Sequence, residues 1–269
     1  MSRKGTPIIQ QGQEHRKNFV NLFNSFSGKY AKWQIWQDFI YCSATALSQP
    51  IDFRQEREDE YLRIIQKYDK REQDLFAQML GEIILALEEE GFSDVLGELY
   101  MQLEMHNKWH GQFFTPMCIA DFMGAIVNTD IVGLVEKKGY ISVNEPSCGS
   151  GVMLISFCKN ATEQGINYQQ QIMFVAQDID PVVAQMCYIQ MSLQGMAGYV
   201  IVGNSLLNNY KQSDYWYTPM YFSEIWHYRR KFQRLMAIMS AEKTSAKPTA
   251  KEYDIVLNED EYGQLSFAV

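Results

Sequence analysis

Residues 140–154 read YISVNEPSCGSGVML, and this stretch decides the fold of the chain. A short β-branched run is followed by an acidic residue, a proline, two glycines one residue apart and then apolar residues. This order predicts a strand that enters a tight turn and leaves it as a helix. Gly149 and Gly151 can adopt positive φ and let a ligand approach the backbone, and the helix that follows directs unpaired N–H groups at it. Glu145, at the end of the strand, is placed to accept hydrogen bonds from a cationic or hydroxyl-bearing ligand.

The glycine spacing excludes two common phosphate-binding loops. The dinucleotide fingerprint requires a third glycine where Leu154 stands, and the P-loop requires a Gly-Lys-Ser/Thr sequence that the stretch lacks. The loop is therefore suited to a small cofactor without a pyrophosphate. The alternative reading of the same glycines is a turn that serves packing alone.

Strands and helices alternate after this loop. We predict helices Val152–Glu163 and Val182–Gln194 and strands Gln171–Ala176 and Tyr199–Val202. Such alternation indicates an α/β fold with a parallel, doubly wound sheet. Asp178 ends the second strand, where α/β cofactor folds hold a ribose hydroxyl.

The chain divides into two predicted regions. Residues 1–105 form an all-helical N-terminal region, because apolar residues recur at spacings of three and four. Residues 106–269 form the cofactor-binding domain, with a helical insertion at about 208–250. Thr115 before Pro116 predicts a helix start, and Thr218 before Pro219 predicts a second one, with a helix to about Met239. A last strand is predicted at Tyr253–Leu257.

Composition limits the location and the partners of the protein. A net charge of -8 argues against binding nucleic acid by bulk electrostatics. The five cysteines lack CxxC spacing, which favours a reducing cytoplasm, and no apolar run reaches the roughly 18 residues that a membrane span needs. His106 and His110 lie four apart without an intervening glutamate, so we expect no metal site. The sequence thus predicts a cytoplasmic protein without a membrane contact.

From about Asp94 to Leu206 the chain resembles the adenine-specific (N-6) DNA methyltransferases of the type I restriction-modification methylase-subunit class. The sequence GQFFTP at 111–116 resembles the segment that precedes the sheet in this family, and EPSCGSG at 145–151 resembles its Asp-Pro-Ala-Cys-Gly-Ser-Gly loop. The resemblance implies a Rossmann-like methyltransferase sheet and S-adenosylmethionine as cofactor. It places asparagine at position 204, where the family has an aspartate that meets the adenine amino group. The residues that it implies for cofactor binding are Phe114, Thr115, Glu145, Pro146, Gly149, Gly151, Asp178, Ile179 and Asn204.

The catalytic motif of the family is not present. Its members follow a fourth strand with Asn-Pro-Pro-Tyr or Asn-Pro-Pro-Phe, which binds the target amine and stacks on the flipped base. The nearest sequence here is YDIVLNEDEY, in which Asn258 ends the predicted strand, both prolines are absent and Tyr262 comes one residue late. Asn258 is therefore the candidate catalytic residue, and the predicted methyltransferase sheet is partial. The alternative function is an inactive methyltransferase fold that docks a protein partner or DNA.

An aromatic and basic segment near residue 230 is the candidate nucleic-acid contact. Its rings and guanidinium groups could stack on and neutralise a strand, although an amphipathic helix with an ordinary charged face explains the same pattern. The resemblance also implies a protein partner, either a specificity subunit or a second methylase subunit. The residues of the candidate contact are Trp226, Arg229, Arg230 and Arg234.

Overall fold

The computed structural model describes residues 8–26, 28–104, 114–127, 131–207, 214–232, 256–259 and 265–268. Its N-terminal part is helical, as predicted. The predicted domain boundary at 105 stays a prediction, because residues 105–113 lie outside the described residues. The helices of this part are α1 (Ile8–Phe23), α2 (Lys32–Ser48), α3 (Gln55–Ile65), α4 (Lys70–Glu90) and α5 (Val95–Gln102).

The remainder of the chain alternates helices and strands. The helices are α6 (Met117–Val127), α7 (Ile131–Lys138), α8 (Val152–Glu163), α9 (Tyr168–Gln171), α10 (Pro181–Leu193) and α11, which is described at 224–232. The strands are β1 (Ile141–Glu145), β2 (Ile172–Asp178), β3 (Ala197–Val202), β4 (Asp214–Tyr217), β5 (Val256–Glu259) and β6 (Leu265–Ala268).

The main sheet has the order β1-β2-β3-β4. The first three strands are parallel, with Glu145 opposite Ala176 and Asp178 opposite Val202. The predicted α/β fold with a partial Rossmann-like sheet is therefore confirmed. β4 was not predicted; it pairs antiparallel to β3, and its Tyr-Trp-Tyr run is too short for a clear period.

The predicted helix start at Thr218 was wrong. Pro219–Phe222 forms a single 3-10 turn, and the α-helix begins only at 224. The Thr218 hydroxyl accepts a hydrogen bond from Gly198 N (3.1 Å) and donates one to Met196 O (2.7 Å). The side chain is thus occupied by the start of β3 and does not cap a helix.

The N-terminal helices α2 and α5 pack against α10, which covers β2 and β3, and one continuous hydrophobic core includes Phe39 of α2 and Phe174 of β2. A buried arginine joins the same two parts at the sheet edge. Arg57 Nη2 donates to Asp214 Oδ1 (2.8 Å), and its guanidinium lies 3.7 Å from the centre of the Trp216 ring. Because Arg57 is buried, this contact links α3 firmly to β4.

A second, separate sheet contains the end of the chain. β5 pairs antiparallel with β6, and Asn258 lies opposite Ser266. The predicted strand therefore occurs in its described part, Val256 and Leu257, and it continues through Asn258 to Glu259; residues 253–255 lie outside the described residues. Among the described strands, β5 pairs with no strand of the main sheet.

Within the described ranges, no single helix is long and apolar enough to cross a membrane, although the bent pair Met117–Ile126 and Ile131–Lys138 meets the length and composition requirement jointly.

Candidate functional site

The glycine loop, residues 146–151 between β1 and α8, crosses the carboxyl end of the parallel strands. Gly149 has φ of 56° and Gly151 has φ of 101°, so both adopt the positive values predicted for them. Cys148 N donates to Gln177 O (2.8 Å), and Gly151 N donates to Cys148 O (2.8 Å). These bonds hold the loop as a tight turn between β1 and α8, directly over the end of β2.

Gly151 could not carry a side chain without a cost in packing, whereas a Cβ on Gly149 would make only ordinary contact. A Cβ on Gly151 would lie 3.0 Å from Cys187 Sγ on α10, and a Cβ on Gly149 would lie 3.4 Å from the Phe114 ring. The first distance is tighter than ordinary van der Waals contact, and positive φ adds strain for any other residue. Both positions thus need glycine for their backbone conformation, and position 151 needs it also for its close approach to Cys187.

Asp178 supports the loop from the end of β2. Its Oδ2 accepts from Gly149 N (3.0 Å), and its Oδ1 accepts from Asp180 N (3.0 Å). Since each carboxylate oxygen has two lone pairs, each keeps one for a ligand hydroxyl. Ile179 follows with 66% of its surface exposed and offers an apolar platform beside that carboxylate.

Glu145 lies at the end of the adjacent strand and faces the same edge. Burial raises the pKa of its carboxyl, the nearby Asp178 charge raises this pKa further, and a hydrogen bond from Ser147 N opposes both effects. The Ser147 N to Glu145 Oε1 distance is 3.2 Å. Among the described residues neither carboxylate forms a salt bridge, so the pair is electrostatically suited to a positively charged ligand.

The helices that begin at this edge differ in how their first turns are satisfied. Asp180 caps α10 by accepting from Val182 N (2.9 Å). Gly151 occupies the N-cap of α8, and no side chain caps that helix. The N-terminus of α8 therefore presents backbone N–H groups and the positive end of the helix dipole next to the loop.

The other predicted cofactor residues surround the loop at different depths. Phe114 is half-buried, with its ring 5.1 Å from Tyr100, and Thr115 is half-buried beside it. Pro146 is exposed at the start of the turn. Asn204 follows β3, where its Oδ1 accepts from Leu206 N (2.9 Å).

The predicted nucleic-acid residues make contacts within the protein. Trp226 is 1% exposed and donates from Nε1 to Gln169 O (2.7 Å). The Arg229 guanidinium lies 4.8 Å from the centre of the Trp226 ring, and Arg230 donates to Tyr221 O. Arg234 lies outside the described residues. Contact of these side chains with nucleic acid stays a prediction.

Catalysis by Asn258 also stays a prediction, because only the backbone pairing of β5 is described there. In the part of the chain that the structure describes, no group of three or more His, Cys, Asp or Glu side chains is placed to hold a metal ion. His106 and His110 lie outside that part.

Sequence reasoning missed the residues that hold the loop from behind. Asp94 and Gln190 are buried, and both contact Ser150, the residue between the two glycines. The sequence does indicate Asp94 as a helix cap, because aspartate is a favoured N-cap residue. In the structure its Oδ1 accepts from Gly97 N (2.9 Å), at the N3 position of α5. Its contact with residue 150 is long-range and has no local signature.

Comparison with known proteins identifies one matching family. Residues 91–250, more than half of the chain, match the family described as N-6 DNA Methylase. A curated relative, the methylase subunit of the type I restriction enzyme MjaIX from Methanocaldococcus jannaschii, is 26% identical over 117 residues. The match covers 42% of this chain and 19% of the relative, so the chain spans about a fifth of that protein's length.

Solved structures also share similarity with the chain. A Listeria monocytogenes structure assigned to the class I S-adenosylmethionine-dependent methyltransferases has 15% identity and a TM-score of 0.45, covering 74% of this chain and 55% of its own. The methyltransferase subunit of a type I restriction-modification system from Streptococcus thermophilus has 13% identity and a TM-score of 0.38, covering 75% and 60%. The family match confirms the resemblance seen in the sequence and makes S-adenosylmethionine the expected cofactor.

Proposed function

The chain belongs to the N-6 DNA methylase family, and we propose that it binds S-adenosylmethionine at the carboxyl edge of β1 and β2. One observation carries this proposal: the two positive-φ glycines lie between the carboxylates of Glu145 and Asp178, beside the uncapped N-terminus of α8. This arrangement offers backbone donors, two acceptors and an opening for a ligand without a pyrophosphate.

The adenosine half of the cofactor is assigned to the end of β2. Asp178 accepts hydrogen bonds from the ribose hydroxyls with the lone pairs that Gly149 N and Asp180 N leave available. Ile179 packs against the adenine ring with its exposed side chain. Asn204 Oδ1 keeps a second lone pair beyond the one used by Leu206 N, and it accepts from the adenine amino group.

The methionine half is assigned to the end of β1. Glu145 faces the cationic amino group, which offsets the burial and the Asp178 charge that raise its pKa in the cofactor-free protein. Phe114 and Thr115 close this side of the loop, and the Phe114 ring lies 3.4 Å from the point that a Cβ on Gly149 would occupy. Pro146 restricts the entry to the turn through its fixed φ.

Methyl transfer to an adenine amino group in DNA is a separate part of the proposal. S-adenosylmethionine supplies an activated methyl group, and the protein contributes alignment and stabilisation of charge. Asn258 is the candidate acceptor of the amine protons, although the two prolines of the family motif are absent. DNA recognition is assigned to a protein partner, either a specificity subunit or a second methylase subunit.

Calorimetry with S-adenosylmethionine tests the cofactor site. We expect wild-type protein to bind and Asp178→Ala to bind about 10- to 100-fold more weakly, since hydrogen bonds to a charged acceptor are lost. Asp121→Ala is the matched control, because that carboxylate contacts Lys159 and Ser156 away from the loop. Absence of binding by wild-type protein would overturn the proposal.

Transfer of labelled methyl groups to adenine-containing DNA tests the chemistry. Wild-type protein is expected to label DNA and Asn258→Ala to lose this labelling. If wild-type protein binds the cofactor but labels no DNA, with or without a type I specificity subunit, cofactor binding stands and the transfer step is refuted.

A further inference from the structure

A buried polar network connects the back of the glycine loop to the helical N-terminal part. Ser150 Oγ donates to Asp94 Oδ2 (2.7 Å), although the two residues are 56 positions apart. Gln190 Nε2 donates both to Asp94 Oδ1 (2.8 Å) and to Ser150 O (2.7 Å). Asp94 is 4% exposed, and Ser150 and Gln190 are fully buried. The hydrogen bonds of this network are therefore shielded from solvent.

Every polar side-chain atom of Asp94, Ser150 and Gln190 has a hydrogen-bond partner. The Asp94 carboxylate accepts from Gly97 N, Gln190 Nε2 and Ser150 Oγ, and Gln190 Oε1 accepts from Leu96 N (3.1 Å). A fully satisfied buried network fixes the geometry of its members, whereas the loss of one member leaves buried groups unpaired. Ser150 is thus held at two points: Asp94 accepts from its hydroxyl, and Gln190 donates to its carbonyl oxygen.

The position of Ser150 between the two glycines gives the network its importance. Gly149 and Gly151 have positive φ and, as glycines, the widest range of accessible backbone conformations in the loop, and they flank the residue that Asp94 and Gln190 hold. Ser150 is buried and faces away from the proposed cofactor, so its side chain can act on the ligand only through the loop backbone.

The local sequence makes room for this arrangement. A Cβ on Gly97 would overlap the Asp94 carboxylate, so glycine at the third position of α5 allows the carboxylate to cap the helix and to reach Ser150 at the same time. α10, which carries Gln190, begins at Pro181, directly after Asp180, whose N–H donates to the Asp178 carboxylate. The same helix thus contacts both walls of the site.

We propose that Asp94 is a positioning residue, which acts through Ser150 and Gln190 to hold the glycine loop in its ligand-binding conformation before the cofactor arrives. This inference rests on the proposed function and assigns to the helical N-terminal part a role in it. Ordering the loop in advance removes an entropic cost from cofactor binding.

The test combines cofactor affinity with backbone hydrogen exchange of the cofactor-free protein. Ser150→Ala and Asp94→Asn are each expected to weaken S-adenosylmethionine binding on the order of tenfold, the effect of one hydrogen bond to a charged group. The double variant should be no weaker than the weaker single variant, because both changes break the same bond. Peptides that cover residues 147–151 should exchange at least about tenfold faster in both single variants.

Arg57→Met is the matched control. It removes a buried contact between the same two parts of the protein, at the β4 edge away from the loop. If Asp94 had only a structural role, Arg57→Met would weaken cofactor binding as much as Ser150→Ala, provided that both variants lose the same free energy of unfolding. Our proposal predicts unchanged affinity and unchanged exchange at 147–151 for the control.

The outcomes separate this inference from the proposed function. If wild-type protein binds S-adenosylmethionine and folded Ser150→Ala binds equally well, positioning by Asp94 is refuted. If wild-type protein does not bind, the proposed function fails, and the exchange measurement alone decides whether the network holds the loop. Unchanged exchange at 147–151 in Ser150→Ala would then refute the inference as well.

Discussion

Substituting alanine for Gly151 should destabilise the protein by two additive effects. The residue has φ of 101°, and positive φ costs an alanine about 1–2 kcal/mol. The new Cβ would lie 3.0 Å from Cys187 Sγ, and such overpacking costs about 1–3 kcal/mol. We therefore expect Gly151→Ala to lower the free energy of unfolding by about 2–5 kcal/mol, measured by urea denaturation.

Two other glycines serve as comparisons: Gly165 isolates the strain of positive φ, and Gly81 has neither strain nor close contact. Gly165 has φ of 82° with open space around its Cβ position, so Gly165→Ala should lose only the strain energy, about 1–2 kcal/mol. Gly81 lies inside α4 with open space and ordinary φ, so Gly81→Ala should gain about 0.5–1 kcal/mol. The order of stability is thus Gly81→Ala, wild type, Gly165→Ala, Gly151→Ala.

A double-mutant cycle tests the contact with Cys187 directly. Cys187→Ala opens space beside position 151, so the double variant Gly151→Ala/Cys187→Ala should lose less stability than the two single variants summed. If Gly151→Ala is no less stable than Gly165→Ala, and the cycle shows no coupling, the reasoning from close approach is refuted.

Three further changes test charges at defined places. Glu145→Gln should stabilise the cofactor-free protein at neutral pH. Burial raises the pKa of the Glu145 carboxyl, so the stability that its neutral form contributes at low pH is lost as the pH rises through the raised pKa. The same variant should bind S-adenosylmethionine more weakly, measured by calorimetry. Arg57→Met should lower the free energy of unfolding by about 3 kcal/mol, measured with urea, because it leaves buried Asp52 without one of its cationic partners. The hydrogen bond to Glu82 raises the pKa of His15, so its contribution is full below pH 6.5 and is lost as the pH rises through the raised value; His15→Gln should remove that dependence of the unfolding free energy.

Each of these has a contradicting result. Unchanged stability of cofactor-free Glu145→Gln would show that its carboxyl is well solvated. A loss below about 1 kcal/mol for Arg57→Met would place that ion pair among ordinary surface pairs. Parallel pH profiles of His15→Gln and wild-type protein would exclude the pair with Glu82 as a source of stability.

Much of the fold follows from local patterns. The strand, glycine turn and helix at 140–154, the alternation after it and the helical character of the N-terminal part could all be predicted, because each depends on short-range periodicity and turn chemistry. β4 and the turn at Pro219 could not, since their structure depends on pairing with β3. Thr218 shows the reason: its hydroxyl satisfies Gly198 N and Met196 O, twenty or more residues away, instead of its own helix start.

The candidate site divides in the same way. The sequence by itself determined which residues stand at strand ends and which glycines can turn, because conformational freedom and the order of elements are local properties. Only the tertiary structure decided that Glu145 and Asp178 lie on neighbouring strands, that Cys187 leaves no space at Gly151, and that Asp94 reaches Ser150 across 56 residues. These are contacts between distant segments, and the packing of whole elements, not the sequence near each residue, brings them together.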